Sequence, residues 1–211
     1  NEKDMKELNL TAEWDKTFPK SDRVNHSKVT FANRYGITLA ADMYVPKNAS
    51  GKLPAIAVCG PFGAVKEQAA GLYAQTMAER GFLTLAFDPS YTGESGGEPR
   101  YVVSPDINTE DFSAAVDFLA TNDRVDAERI GIIGICGWGG LAINAAAADP
   151  RIKATVALTM YDMSRVNANG YFDADDSAEA RNALRKKLAA QRTEDFRNGL
   201  SRRPSGLRKT K

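Results

Sequence analysis

Two short stretches of the chain set a nucleophilic side chain among glycines. "GICGWGG" spans residues 134–140 and carries Cys136; "GESGG" spans residues 93–97 and carries Ser95. The second matches the serine-nucleophile string G-x-S-x-G letter for letter. The first has cysteine in the serine's place and Trp138 where the last glycine would stand. Such a string does chemistry only in one setting. A strand must end, the chain must turn sharply, and a helix must begin at once. The side chain then stands above the sheet at the helix N-terminus, and the next backbone N–H points at a developing oxyanion.

Only one stretch has that setting. Ser95 lies seven residues beyond Asp88, after a strand broken by Asp88-Pro89, and "EPRYVV" follows it rather than a helix. It reads as a loop at a strand's C-terminal edge. Around Cys136, the buried-strand pattern "RIGIIGI" leads straight in and the helical pattern "GWGGLAINAAAA" leads straight out. Gly134 and Gly137 supply the small neighbours that a tight turn needs. A thiol at a helix N-terminus is favoured as thiolate, its reactive form. The competing reading of Cys136 is a buried structural thiol, common for free cysteine.

The surrounding pattern predicts the elements that position this turn. Residues 29–32 and 37–45 read as a β-hairpin with "NRYG" as its turn. "PAIAVCG", "FLTLAFD" and "IKATVAL" are short apolar runs of the kind buried on both sheet faces. Helical spacing covers residues 66–81, residues 106–120 with Asn108 or Thr109 as N-cap, and the run after Cys136. Strands alternating with helices of this length give a parallel sheet with crossover helices. The expected architecture is therefore α/β: a mostly parallel sheet, helices on both faces, and a leading antiparallel hairpin. The expected organisation is an N-terminal extension over 1–27, a core over 28–160, a charged helical excursion like a cap over 161–198, and a disordered basic tail over 199–211.

On these residues the chain resembles the α/β-hydrolase superfamily. Its G-x-C-x-x-G-G elbow is similar to that of the dienelactone-hydrolase-like branch, from which Trp138 departs. The hairpin, "AIAVCGPFG", "LTLAFDPSYTGESGG" and the elbow fall in the superfamily's order, over about residues 28–160. The resemblance implies Cys136 as nucleophile toward a carboxylic ester, lactone or thioester. Gly137 N–H would be one oxyanion donor. The second must come from the loop "CGPFGAVKEQ", where Pro61 has no N–H; Phe62 is the choice, with Gly63 behind it. Tyr91, Ser95 and Trp138 are candidates for lining the pocket.

The resemblance also implies an acid and a histidine on two further strands, in the chain order nucleophile, acid, base. The single histidine, His26, precedes the hairpin and reads as a surface residue. Asp162 is the candidate acid, with helix capping as its competing role. No later strand is evident, so the C-terminal strands of the fold are expected to be missing. A truncated form with little turnover, a missing half supplied by another chain, and a catalytically silent binding or assembly module all stay open. An uncovered sheet edge would suit a homo-oligomer.

Composition bounds the rest. The chain has 211 residues, 43% hydrophobic and 26% charged, with net charge +1, as in an ordinary globular domain. Charge is uneven: residues 181–211 hold 11 Lys and Arg against 2 Asp and Glu, a local +9, leaving −8 on residues 1–180 (17 against 25). With no stacking aromatics or reading helix, the tail predicts no nucleic-acid role. The uncharged stretch 130–148 is 19 residues long but has five glycines, which suits a strand, turn and helix better than a membrane span. One histidine and two cysteines leave no metal constellation, and no cofactor loop is present. Two cysteines without a signal pattern favour a cytoplasmic address, although a removed leader stays open because the chain starts at Asn1.

Overall fold

A computed structural model describes residues 6–199. The predicted tail lies almost wholly outside them. Contacts divide the chain into one unit up to Tyr161 and a second from Asp162 onward.

The first unit is built on six strands: β1 (Val24–Ala32), β2 (Thr38–Pro46), β3 (Leu53–Cys59), β4 (Leu83–Phe87), β5 (Val125–Ile135) and β6 (Ile152–Leu158). Their order across the sheet is β1-β2-β4-β3-β5-β6. β2 pairs antiparallel with β1 and β4; the β3–β4, β3–β5 and β5–β6 pairs are parallel. The parallel strands are joined by α1 (Ala69–Ala78), α2 (Pro105–Ala120) and α3 (Gly137–Ala148).

The alternation of side chains along the strands sorts the core into two layers. Leu39, Ala41, Ala57, Leu85, Phe87 and Ile132 face one way and pack with Phe112 and Leu119 of α2 and Leu141 of α3. Tyr44, Ile56, Val58 and Ala86 face the other way, against Ala70, Ala74 and Ala78 of α1 and Phe18. All five residues of β4 are buried, as expected of an inner strand covered on both faces. β6 is an edge strand, buried only at Ile152, with Val156 exposed.

Three expectations need correction. Residues 6–23 are not a separate extension, because Phe18 and Lys16 are buried against the sheet. β1 starts at Val24, so His26 lies within a strand. Ser104 occupies the N-cap position of α2 without a side-chain capping bond, and the helix opens with Pro105, which fits the first helical turn because an N–H there would have no intrahelical acceptor. Asn108 instead reaches back, its Oδ1 accepting from Ser104 N at 2.9 Å.

A polar knot ties α2 to the loops above the sheet. Asp111 is buried, and its carboxylate accepts from Asn33 Nδ2 (2.8 Å), Ser90 N (2.8 Å), Ser90 Oγ (2.8 Å) and Asn108 Nδ2 (3.0 Å). Each orphaned buried donor costs about 1–3 kcal/mol. Asp111→Ala should therefore lower stability by about 2 kcal/mol in urea unfolding; a loss below about 0.5 kcal/mol would mean that the knot is not structural.

The second unit is helical: α4 (Met163–Asn169), a 3₁₀ turn (Tyr171–Asp173) and α5 (Ala178–Arg197). Ser177 Oγ caps α5 by accepting from Ala180 N at 3.0 Å. No α5 residue is buried, and Leu184, Leu188 and Phe196 are exposed. No helix of the described residues is long and apolar enough to cross a membrane; stretch 130–148 is shared between β5 and α3.

Candidate functional site

β5 ends at Ile135 and α3 begins at Gly137, leaving Cys136 alone at the bend with φ 59° and ψ −122°. An L-residue held there stores about 1–3 kcal/mol of strain and needs surroundings that enforce it. Those surroundings are present. Cys136 N donates to Leu158 O at the end of β6 (2.8 Å), and Cys136 O accepts from Gly139 N (3.0 Å) and Tyr161 N (3.4 Å). The side chain is partly exposed.

The glycines of the stretch are matters of room. A Cβ built at Gly134 would sit 2.3 Å from Trp138 O; one at Gly139, 3.1 Å from the Met160 side chain; one at Gly140, 3.2 Å from Tyr161 O. Helix α3 therefore folds back directly over β5, and the chain after β6 lies against the helix start. Gly137, the expected first oxyanion donor, opens the helix, where its N–H has no intrahelical acceptor.

The loop after β3 meets the same bend. Gly60, at φ 100°, lies so near that a Cβ there would be 2.4 Å from Ile135 O. A turn closed by Ala64 N to Pro61 O (3.1 Å) carries Phe62. Among the described residues nothing accepts a hydrogen bond from Phe62 N. Its ring is half exposed and lies 5.8 Å from that of Trp138.

The three proposed pocket residues lie deeper than expected. Trp138 is 2% exposed and packs in the α2–α3 core layer. Ser95 is also 2% exposed; its Oγ donates to Asp88 O (2.7 Å) and accepts from Ala40 N (2.8 Å), so it staples a loop instead of lining an open cleft. Tyr91 is buried at φ 73°, its ring against Gly97.

Asp162 caps α4, accepting from Arg165 N (3.0 Å) and Ser164 Oγ (2.6 Å). The Ser164 hydroxyl and the Arg165 N–H hold its carboxyl below the usual range. His26 is not the surface residue expected. Its Nε2 lies 2.6 Å from Asp42 Oδ1, and its ring packs against Trp14 and Tyr44. Four strand spacings separate β1 from β5 in the sheet order, or roughly 19 Å, so His26 is out of reach of Cys136.

Cys59, paired with Gly134 across β3 and β5, is fully buried. Burial pushes its thiol well up, and Asp111 and Asp88 add to this. Native protein should therefore show one thiol that reacts with a disulfide reagent and a second that reacts only after denaturation. Two fast thiols, or none, would contradict the burial described.

A set of residues that pattern reading missed lies beside the Phe62 loop. Lys66, with its side chain wholly buried, donates from Nζ to Asp88 (2.9 Å), Glu67 (2.5 Å) and Glu94 (2.7 Å). Lys28 joins Glu94 (2.8 Å) to Asp15 (3.3 Å). The carboxylates of Asp15, Glu67 and Glu94 lie close enough together for a cation, but the ammonium groups of Lys16, Lys28 and Lys66 already serve them. Burial alone would lower the pKa of Lys66, but Asp88 and the other carboxylates outweigh it, and the ammonium stays charged. Partial burial likewise works against Glu94, yet hydrogen bonds from Lys28 and Lys66 bring it down to about 2.

A mixed sheet led by an antiparallel hairpin, crossover helices on both faces and a strained strand–residue–helix bend together define an α/β-hydrolase fold. The chain belongs to the X-Pro dipeptidyl-peptidase (S15) family, whose model matches residues 35–205. It is 66% identical over 194 residues to uncharacterized protein PA2218 of Pseudomonas aeruginosa, covering 92% of this chain and 52% of that one. The crystal structure of PA2218 superposes with a TM-score of 0.89, over 96% of this chain and 65% of that chain. Thiohydrolase aneE of Aspergillus aculeatus is 34% identical over 65% of this chain and 42% of its own. The crystal structure of α/β hydrolase GrgF from Penicillium sp. sh18 matches at 27% identity and TM-score 0.60, over 72% of this chain and 53% of that one. The chain thus spans about half the length of the curated relatives it matches. Other relatives carry the names thiohydrolase apmlB of Arthrinium phaeospermum, polyketide transferase claH of Penicillium crustosum and acyltransferase drtE of Aspergillus calidoustus.

Proposed function

We propose that this chain carries the nucleophile half of a hydrolase acting on thioesters or activated carboxylic esters, with Cys136 as nucleophile. The observation that carries this reading is the strained, backbone-locked and partly exposed position of Cys136 between β5 and α3. In the first step the sulfur adds to the carbonyl carbon, with Gly137 and Phe62 N–H groups facing the oxyanion. A C–S bond to the enzyme forms, the substrate's C–S or C–O bond breaks, and the thiol proton leaves with the product thiol or alcohol. Water then releases the carboxylic acid and restores the thiol.

The leaving group decides between this and the peptide cleavage in the family's name. A thiolate or phenolate departs unaided, whereas an amine must be protonated by a general acid. Among the described residues His26 lies some four strands from Cys136, so for these residues alone a thioester is the substrate that needs no added acid. Thiohydrolases among the relatives support the same class. With no base beside Cys136 among the described residues, deacylation by this chain alone should be the slow step. Mixing the chain with an activated aryl thioester should give a burst of about one equivalent of thiol and then slow release, while glycyl-prolyl-p-nitroanilide stays intact. Cleavage of the anilide in preference to the thioester would overturn the substrate class.

A further inference from the structure

We propose that Lys66 is a positioning residue, acting through its buried carboxylate shell to hold the loop that presents Phe62 N–H to the acyl site. The inference rests on the function proposed above and names a part of the site that motif and fold do not supply. The loop after β3 has two anchors. At one end Gly60 abuts the elbow, with no room for a side chain against Ile135 O. At the other, Lys66 is fixed to Asp88 twice, by backbone N to Oδ1 (2.8 Å) and by Nζ to Oδ2 (2.9 Å). Phe62 lies between these anchors.

Asp88, immediately after β4, is the hub. Glu94 N also donates to its Oδ2 (2.9 Å), and Gly93 passes so near that a Cβ there would lie 2.2 Å from the same oxygen. Glu94 returns to Lys66 Nζ (2.7 Å) and reaches Lys28 of β1 (2.8 Å). One buried ammonium thus fastens the loop after β3 to the loop after β4, both at the C-terminal end of the parallel strands, where α/β folds place their ligands. Stability alone is a poor reason for such a cluster, because a well-packed apolar replacement often serves as well as a buried ion pair. What the charges add is direction: each bond fixes one loop atom against another. A displacement of about 1 Å of an oxyanion donor can cost on the order of 100-fold in rate.

Two reactions of Cys136 separate this role from plain structural support. Alkylation by iodoacetamide develops no oxyanion; acylation by an activated aryl thioester does. Lys66→Met should lower the acylation rate roughly 10- to 100-fold while alkylation stays within about twofold of the wild type. Glu94→Gln, which keeps the shape and removes one carboxylate, is the milder variant should Lys66→Met unfold; it should lower acylation about threefold or more with alkylation unchanged. Acylation within about twofold of wild type in a folded variant overturns the positioning role, as does an equal fall of both rates. A wild-type chain that alkylates at Cys136 but never acylates overturns the proposed function, and the positioning role falls with it.

Discussion

Replacing Cys136 should separate activity from stability in a way that no core residue would. Cys136→Ala should lower thioester acylation by on the order of 10³-fold or more, the scale seen when a nucleophile is removed. Alanine inherits the left-handed backbone, so stability should hardly change. Cys136→Gly should be equally inactive yet more stable than Cys136→Ala by about 1 kcal/mol. Glycine relieves most of the 1–3 kcal/mol of strain at φ 59°, less its greater freedom in the unfolded chain. The pair is measured by acylation kinetics and urea unfolding of the same preparations. A glycine variant less stable than the alanine one would mean that the bend is not strained. Retained acylation in either would move the nucleophile elsewhere.

Gly134→Ala should give a large stability loss for a one-carbon change near the bend. Its Cβ would lie 2.3 Å from Trp138 O and 2.7 Å from Ala142 Cβ. Neither contact is a flexible side-chain end, so helix α3 must lift from β5. Overpacking of this kind costs about 3 kcal/mol, which for a chain of this size lowers Tm by roughly 10 °C. Gly36→Ala is the comparison: φ is 74° and the surroundings are open, so only backbone strain of about 1 kcal/mol applies. Equal losses at the two positions would show that the close approach of α3 to β5 is not as described.

What was legible in the chain was what is local. The elbow announces itself because strand, cysteine and helix are contiguous, and the hairpin because its turn residues lie between its strands. α1 begins at Ala69, later than its apolar spacing suggested, since Lys66 is drawn into the ion cluster by Asp88, 22 residues on. The same long reach hid the place of His26, whose partner Asp42 lies across the β1–β2 ladder. Ser95 matched a serine-nucleophile string, and the loop setting argued against it; only the fold shows its hydroxyl spent on Ala40 and Asp88. Trp138 stood out as a departure from a small residue, but spacing cannot tell a pocket wall from a core residue two positions past the bend.

The most direct measurement is the mass of the whole chain after brief exposure to an aryl thioester, followed by mapping of the modified peptide. The account predicts a single acyl adduct, on Cys136 and not on Cys59, which disappears in Cys136→Ala. An adduct on another residue, or none while iodoacetamide still labels Cys136, would contradict it.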